Sequence, residues 1–361
     1  MRTPEAILRD TAWDELDHAY GSASDAPEQL RNLLSEDDEA CGNALGYLDG
    51  ALLHQGSVYS ATSPAAAFVA AILDDPRVSM LCESALPWDD RERPLRAALL
   101  EWLGSLAESL TYDEWEFDDS EDAASEAAAL DAGRALLPEL FDRIAPFLDD
   151  TDSAVRQAAT GAVSHLLRAP KLADQRAEVA ERLLRAARDA SPVERAGIAL
   201  SLGGWGISVL LDDEHPGVRA CAAITTAYDD DLVALAEVRT ALRDPAAVDG
   251  LLEGQPPQLD GRLRFQLVAA LLRRTATFDE IADEAVAFAR MTNEYTVDSD
   301  WGPLVLRAFP DGPADALSPA QQRFLAALVA NDRCWGLIGN RTSWLRKAGL
   351  PTERDALRAL V

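Results

Sequence analysis

Four histidines, His18, His54, His165 and His215, are the obvious residues for acid–base or metal chemistry, and their spacing supports little of it. No two lie within a helical turn of each other, and H-E-x-x-H is absent. A zinc site needs three or four converging His, Cys or carboxylate ligands, and the sequence spaces no such set. Cys41, Cys82, Cys221 and Cys334 are far apart and form no C-x-x-C, so they read as small buried thiols in a reducing compartment. No nucleophile stands beside a recognisable base, and adjacent acids are too frequent to mark a general acid–base pair. Asp298 and Asp300 could hold a metal, but their place ahead of Trp301-Gly302-Pro303 reads as helix capping. The glycines of SLGGWGIS, 201–208, follow a helical face and no strand, which predicts a tight turn filled by Trp205 rather than a phosphate loop. No cofactor, metal or catalytic residue is therefore expected.

Recognition chemistry is better represented. The stretch TYDEWEFDDSEDAASEAAALD, 111–131, holds nine acids and no base. Carboxylates grip Arg and Lys, and aromatic rings stack on guanidinium groups. Tyr112, Asp113, Glu114, Trp115, Glu116, Phe117, Asp118 and Asp119 are thus candidates for partner binding. The alternative is a solvated loop whose rings pack back on the core. His54, with Gln55 and Tyr59, forms a second polar stretch between a helix ending near Leu53 and one starting at Ser63-Pro64. It reads either as a recognition loop or as a helix C-cap, with His54 near the last carbonyls and Gly56 in the left-handed region.

Charge selects the kind of partner. The 361 residues carry a net charge of −29, and residues 1–153 hold 34 acids against nine bases. Such a field repels nucleic acid and anionic membranes and steers a cationic protein. Bases gather late, at Arg262, Arg264, Arg273 and Arg274 and at Arg341, Arg346 and Lys347 around Trp344, so a phosphate- or nucleic-acid-binding C-terminal face is the minor alternative. No apolar run approaches the roughly 20 residues of a membrane span. MRTPEAILRD reads as a capped helix and not as a signal segment, so the expected location is cytoplasmic.

The elements that must carry these residues announce themselves by repetition. LLDDEHPGVRACA, 210–222, and FLDDTDSAVRQAA, 147–159, share a pair of aspartates, a short turn, Val-Arg and small residues. In the earlier copy Val155, Ala158, Ala159, Ala162, Val163, Leu166 and Leu167 trace one face of a helix. Asp152 is placed to cap it, and Pro216 takes the first helical position of the later copy. A degenerate copy at 187–200 aligns Pro192 with Pro216, Arg195 with Arg219 and Asp189 with Asp213. Ser318-Pro319-Ala320-Gln321 has capping-box spacing, and Phe278, Ile281, Ala282, Ala285, Val286 and Ala289 trace another face. The periodicity predicts an all-α chain of roughly 18–20 helices, without strands. Helices in tandem with a recurring turn predict an α-solenoid, in which each pair buries its face on its neighbours.

The L-x-D-x-x-P-x-V-R-x-x-A pattern resembles HEAT repeats, particularly the short type of phycobilin lyases. HQGSVYSATSPAAAF at 54–68, DSDWGPLVLRAFP at 298–310 and WLRKAGLP at 344–351 are similar to uncharacterised actinobacterial HEAT-repeat proteins. The resemblance implies antiparallel helix pairs stacked in a right-handed superhelix. It implies acidic repeats over 1–150, a HEAT array over 151–317 and capping helices over 318–361, forming one continuous solenoid. It also implies that Asp150, Arg156, Asp213 and Arg219 form a structural ladder of charge-assisted hydrogen bonds across stacked turns. The His-Glu dipeptides with which HEAT-fold deoxyhypusine hydroxylases hold iron do not occur here. The function expected is a non-enzymatic protein-binding scaffold or adaptor, one form being an inhibitor or immunity protein for a basic bacterial effector. The alternative is a cofactor-handling protein of bilin-lyase type, which would need an apolar cavity. Oligomeric state is left open.

Overall fold

Helix starts follow the punctuation of the sequence. Thr3, Asp37, Asp152 and Asp231 each accept a hydrogen bond from backbone N–H groups of the helix that follows. Ser191 and Ser318 form reciprocal capping boxes with Glu194 and Gln321. His215 caps through its ring, Nδ1 accepting from Gly217 N–H at 3.2 Å. Pro4, Pro192, Pro216 and Pro319 open their helices, where a missing N–H costs nothing.

The computed structural model describes residues 2–82, 91–112, 123–259, 261–314 and 316–361. The chain divides into two compact units, Met1–Asp189 and Ala190–Val361. The first contains α1 (Pro4–Asp10), α2 (Ala26–Asn32), α3 (Asp38–Tyr47), α4 (Thr62–Ile72), α5 (Leu95–Thr111), α6 (Ala123–Ile144), α7 (Ser153–Leu166) and α8 (Arg176–Ala186). The second contains α9 (Pro192–Gly204), α10 (Pro216–Ala223), α11 (Leu232–Ala241), α12 (Leu263–Arg274), α13 (Ala282–Met291), α14 (Gly302–Ala308), α15 (Pro319–Ala330), α16 (Asn340–Lys347) and α17 (Arg354–Arg358). The fold is all-α. Among the described residues the only strands are two-residue hairpins, Asp17–His18 with Gly21–Ser22 and Leu81–Cys82 with Arg93–Pro94. Among the described residues there are 17 α-helices against the 18–20 expected, and 3-10 turns such as Ala145–Asp149 and Pro170–Gln175 link several of them.

The faces traced in the sequence are the buried ones. Every residue of the Val155–Leu167 face is buried, as are Val218, Cys221 and Ala222 and the whole Phe278–Ala289 face. Each fully buried side chain of this size contributes about 1.5–3 kcal/mol. Helices α5 and α7 approach closely because Gly104 has no side chain; a Cβ there would stand 3.1 Å from Ala162 Cα. In the second unit Phe278 and Phe324 pack with ring centroids 5.4 Å apart, and Phe288, Trp301 and Phe309 are buried in the same core.

Arginine ties the turns together. A helix leaves its last carbonyls without partners, and a guanidinium fork can satisfy them from a neighbouring element. Arg96 donates to Leu73 O at 2.8 Å, Arg134 to Leu110 O at 3.0 Å and Arg176 to Leu167 O at 2.6 Å. Arg273, Arg307 and Arg354 do the same for Ile224, Leu272 and Val329. The repeated Val-Arg arginines have their own geometry. Arg156 Nη1 donates to the carbonyls of Asp150 and Thr151, and Arg219 Nη1 to those of Asp213 and Glu214. The Asp150 carboxylate accepts from Asp152 N–H and lies 3.9 Å from Arg96. The Asp213 carboxylate takes both prongs of Arg195, at 2.7 and 3.0 Å, while Arg219 Nε reaches on to Glu237 at 3.1 Å. Both steps span 18 residues.

Candidate functional site

Tyr112 is exposed directly after α5. Asp113, Glu114, Trp115, Glu116, Phe117, Asp118 and Asp119 lie outside the described residues. His54 follows a single π turn, Leu48–Leu52, which ends where Gln55 (φ 52°) and Gly56 (φ 82°) enter the left-handed region. His54 Nδ1 lies 3.1 Å from Gly50 O, so it carries the proton and donates. Tyr59 closes the turn before α4, its N–H donating to Thr62 Oγ1 at 2.9 Å.

The side chain set beside His54 is Tyr20, which comes from the first hairpin. The rings meet edge-on with centroids 5.6 Å apart, and Tyr20 Oη is 3.5 Å from His54 Nδ1. Tyr20 is 71% exposed. Its backbone is fixed by His18, which is buried: Nδ1 accepts from Tyr20 N–H at 3.0 Å. The His18 proton therefore sits on Nε2, which donates to Asp25 Oδ1 at 3.2 Å. Tyr47 Oη donates to the same oxygen at 2.9 Å and lays its ring edge-on to His18. Burial first, then Asp25, raises the Tyr47 phenol, which keeps it a donor. Asp14, Glu15, Asp17 and Asp25 are exposed nearby in the sequence. The result is a rigid aromatic pair on acidic chain, suited to a guanidinium or ammonium group.

His18, Tyr20, Asp25 and Tyr47 escape sequence reasoning. Spacing within one helical turn does not relate Tyr20 to His54, which are 34 residues apart. Strands two residues long leave no period-2 signal.

Two other expectations change. Asp298 and Asp300 do not cap α14, whose start has no side-chain cap. Asp298 accepts from Trp344 Nε1 at 2.7 Å, and Asp300 is buried against Arg264. The late bases are largely engaged: Arg264 with Asp249 and Asp300, Arg273 and Arg274 with Asp229. Arg341 donates to the carbonyls of Gly336 and Ile338, and Lys347 lies over the Trp344 ring. Among the described residues no three His, Cys, Asp or Glu side chains converge as a metal site would. Burial pushes the Cys82 and Cys334 thiols up to about 11.

Comparison of the chain with protein-family models, with curated proteins and with solved structures finds no match. What the chain does must be argued from its own residues.

Two groups of the first unit titrate far from their ordinary values, in opposite directions. Burial raises the Asp49 carboxyl to about 6, with Arg93 pulling it down and Glu101 pushing it up. The folded state then holds the extra proton between the ordinary 3.8 and about 6, so stability from Asp49 falls as pH rises through that window. Burial lowers His165 to about 3, helped by Arg168. Here the unfolded state holds the extra proton below the ordinary 6.5, so stability falls as pH drops from there. Urea unfolding at neutral and mildly acid pH separates the two. His165→Asn is expected to remove about 2 kcal/mol of the stability lost between pH 7 and pH 5, and Asp49→Asn to add about 1 kcal/mol to it. Unchanged pH slopes in both variants would refute the assignments.

Proposed function

We propose that this chain is a non-enzymatic binding protein that docks a cationic protein on its acidic first unit. The observation that carries the reading is the Tyr20–His54 pair: an exposed aromatic ring whose backbone is held by the buried His18, itself bonded to Asp25, which also takes the Tyr47 hydroxyl. Rigid, exposed aromatic anchors dominate protein interfaces, and surrounding carboxylates speed encounter with a basic surface. An inhibitor or adaptor for a basic effector is the biological form that fits this chemistry.

In this reading the helices of each unit stack as HEAT-like pairs in a right-handed α-solenoid. The recurring arginine ties, each reaching 18 residues along the chain, support it. A cytoplasmic location belongs to the same reading and is supported by four free thiols. No helix among the described residues is long and apolar enough to cross a membrane.

The test is retention of proteins from source-cell lysate on the tagged chain at low and at high salt. The expected result is one stoichiometric basic protein, bound at low salt and released at high salt. Retention of no protein at either salt would overturn the reading.

A further inference from the structure

A cleft of about 1060 Å³ opens in the first unit, where the end of α5, the middle of α6 and the turn after α7 converge. Its walls combine apolar side chains, Leu110, Leu137 and Pro170, with three cations, Arg134, Arg168 and Lys171. That mixture is out of keeping with its surroundings. Residues 1–189 hold 38 acids against 16 bases, and Lys171 is one of only two lysines in the chain.

Several cations of this unit are paired: Arg77 with Asp75, Arg93 with Glu101, Arg143 with Asp74, Arg182 with Asp149. Two of the three at the cleft are not. The Arg168 and Lys171 side chains are exposed and have no ion-pair or hydrogen-bond partner among the described residues. Arg134 Nε is fixed on Leu110 O, and its Nη1 pairs at 3.9 Å with Asp131, which also lines the cleft. Two unpaired cations at a cleft wall suit an anion.

A second feature lies behind the Glu108 side of the cleft. His165 is only 9% exposed, and its Nδ1 has no hydrogen-bond partner. Glu108, which lines the cleft, stands 3.8 Å from that nitrogen, too far for a hydrogen bond. The ring is neutral at physiological pH, since burial and Arg168 both disfavour its proton, so the approach is not an ion pair. A buried polar atom left without a partner is rare in folded proteins and marks a place where something else belongs. Glu108 is a hydrogen-bond acceptor on this wall.

We propose that this cleft binds a hydroxyl-bearing phosphate monoester. Arg168, Lys171 and Arg134 take the phosphate, Leu110, Leu137 and Pro170 cover the organic body, and Glu108, backed by His165, takes a hydroxyl. Phosphate fits better than a single carboxylate because a group that carries close to two negative charges can engage both Arg168 and Lys171. Size allows either a nucleoside monophosphate or a sugar phosphate. A chain of net charge −29 repels small anions over the rest of its surface, so phosphate binding would report this site and not general attraction.

The test uses the full chain, titrated calorimetrically with AMP, glucose 6-phosphate, adenosine and inorganic phosphate. At least one phosphate ester is expected to bind, more tightly than inorganic phosphate, and adenosine is expected not to bind. Which ester binds names the body. The Arg168→Gln/Lys171→Gln variant changes only exposed side chains, and it is expected to bind about tenfold or more weakly. Glu108→Gln is expected to weaken the ester and leave inorganic phosphate unchanged. Esters that bind no better than about 1 mM would overturn the proposal, as would undiminished binding by the double variant. Arg333→Gln/Arg346→Gln, in the second unit, is the control and is expected to bind as the parent does.

Discussion

Asp300→Ala is expected to destabilise the protein by about 3–5 kcal/mol, the largest single-residue effect the fold offers. Asp300 is fully buried. Its Oδ1 accepts from Arg264 Nε at 2.9 Å and its Oδ2 from Thr296 Oγ1 at 2.6 Å. Arg264 is itself 6% exposed, lies over the Phe265 ring and pairs through Nη1 with Asp249. Truncating Asp300 leaves a buried guanidinium with one of its two carboxylates gone and a hydroxyl with no acceptor. It also opens a gap beside Trp301, a large buried side chain of the core. Urea unfolding followed by fluorescence reads the effect as a lower midpoint. The joint change Arg264→Leu/Asp300→Leu is expected to recover most of the loss, since a buried pair repays its desolvation poorly while a broken pair is costly. Asp249 keeps Arg262, 3.3 Å away, in that variant. A loss below about 1 kcal/mol in Asp300→Ala would mean that water reaches the guanidinium and that the pair is not sealed.

The Asp300 example shows what the sequence could and could not say. Signals that act over three or four residues were legible. Asp152, Ser191 and Ser318 cap because the groups they bond are their immediate neighbours. Faces at helical spacing were legible for the same reason. Asp300 precedes Trp301-Gly302-Pro303 and has the local look of a cap, but its partner Arg264 is 36 residues earlier. A buried partner competes with a capping role, and only tertiary structure decides between them. The late arginines follow the same rule. In sequence they form a basic cluster, yet Asp229, Asp249 and Asp300 neutralise most of them. The repeated aspartates and Val-Arg arginines were legible as recurring text, while the pairing of Arg195 with Asp213, 18 residues apart, depends on tertiary structure. At the candidate site His54 stood out as an unusual polar residue, and its C-cap reading has a counterpart in the structure. Nδ1 bonds the Gly50 carbonyl as a C-terminal cap would, and that bond fixes the ring against Tyr20. Tyr20 itself sat in a hairpin too short to leave a pattern.

Tyr20→Ala is expected to weaken binding of the basic partner by about 2 kcal/mol or more, roughly 30-fold in Kd. Its cost to stability should be small, because the ring is mostly in water and the bond to His18 comes from its backbone. That separation makes the variant informative: a loss of binding at unchanged urea midpoint assigns the ring to the interface. His54→Ala acts on the same contact from below, so the two changes are expected to be non-additive by about 0.5 kcal/mol or more in a double-mutant cycle. Tyr20→Phe is expected to retain most of the affinity, since the hydroxyl reaches His54 only at 3.5 Å while the ring contact survives. The carboxylates should behave differently. Asp14→Asn and Asp17→Asn are expected to slow association and flatten its salt dependence while changing dissociation little, as exposed charges at a rim do. Calorimetry and stopped-flow association with the partner retained on the tagged chain measure both. Full affinity in Tyr20→Ala, with the same salt dependence, would place the interface elsewhere on the molecule. Lost affinity confined to dissociation, beside charge variants that alter only association, would establish the division of labour that the geometry sets out: a fixed ring that holds, and an acidic field that gathers.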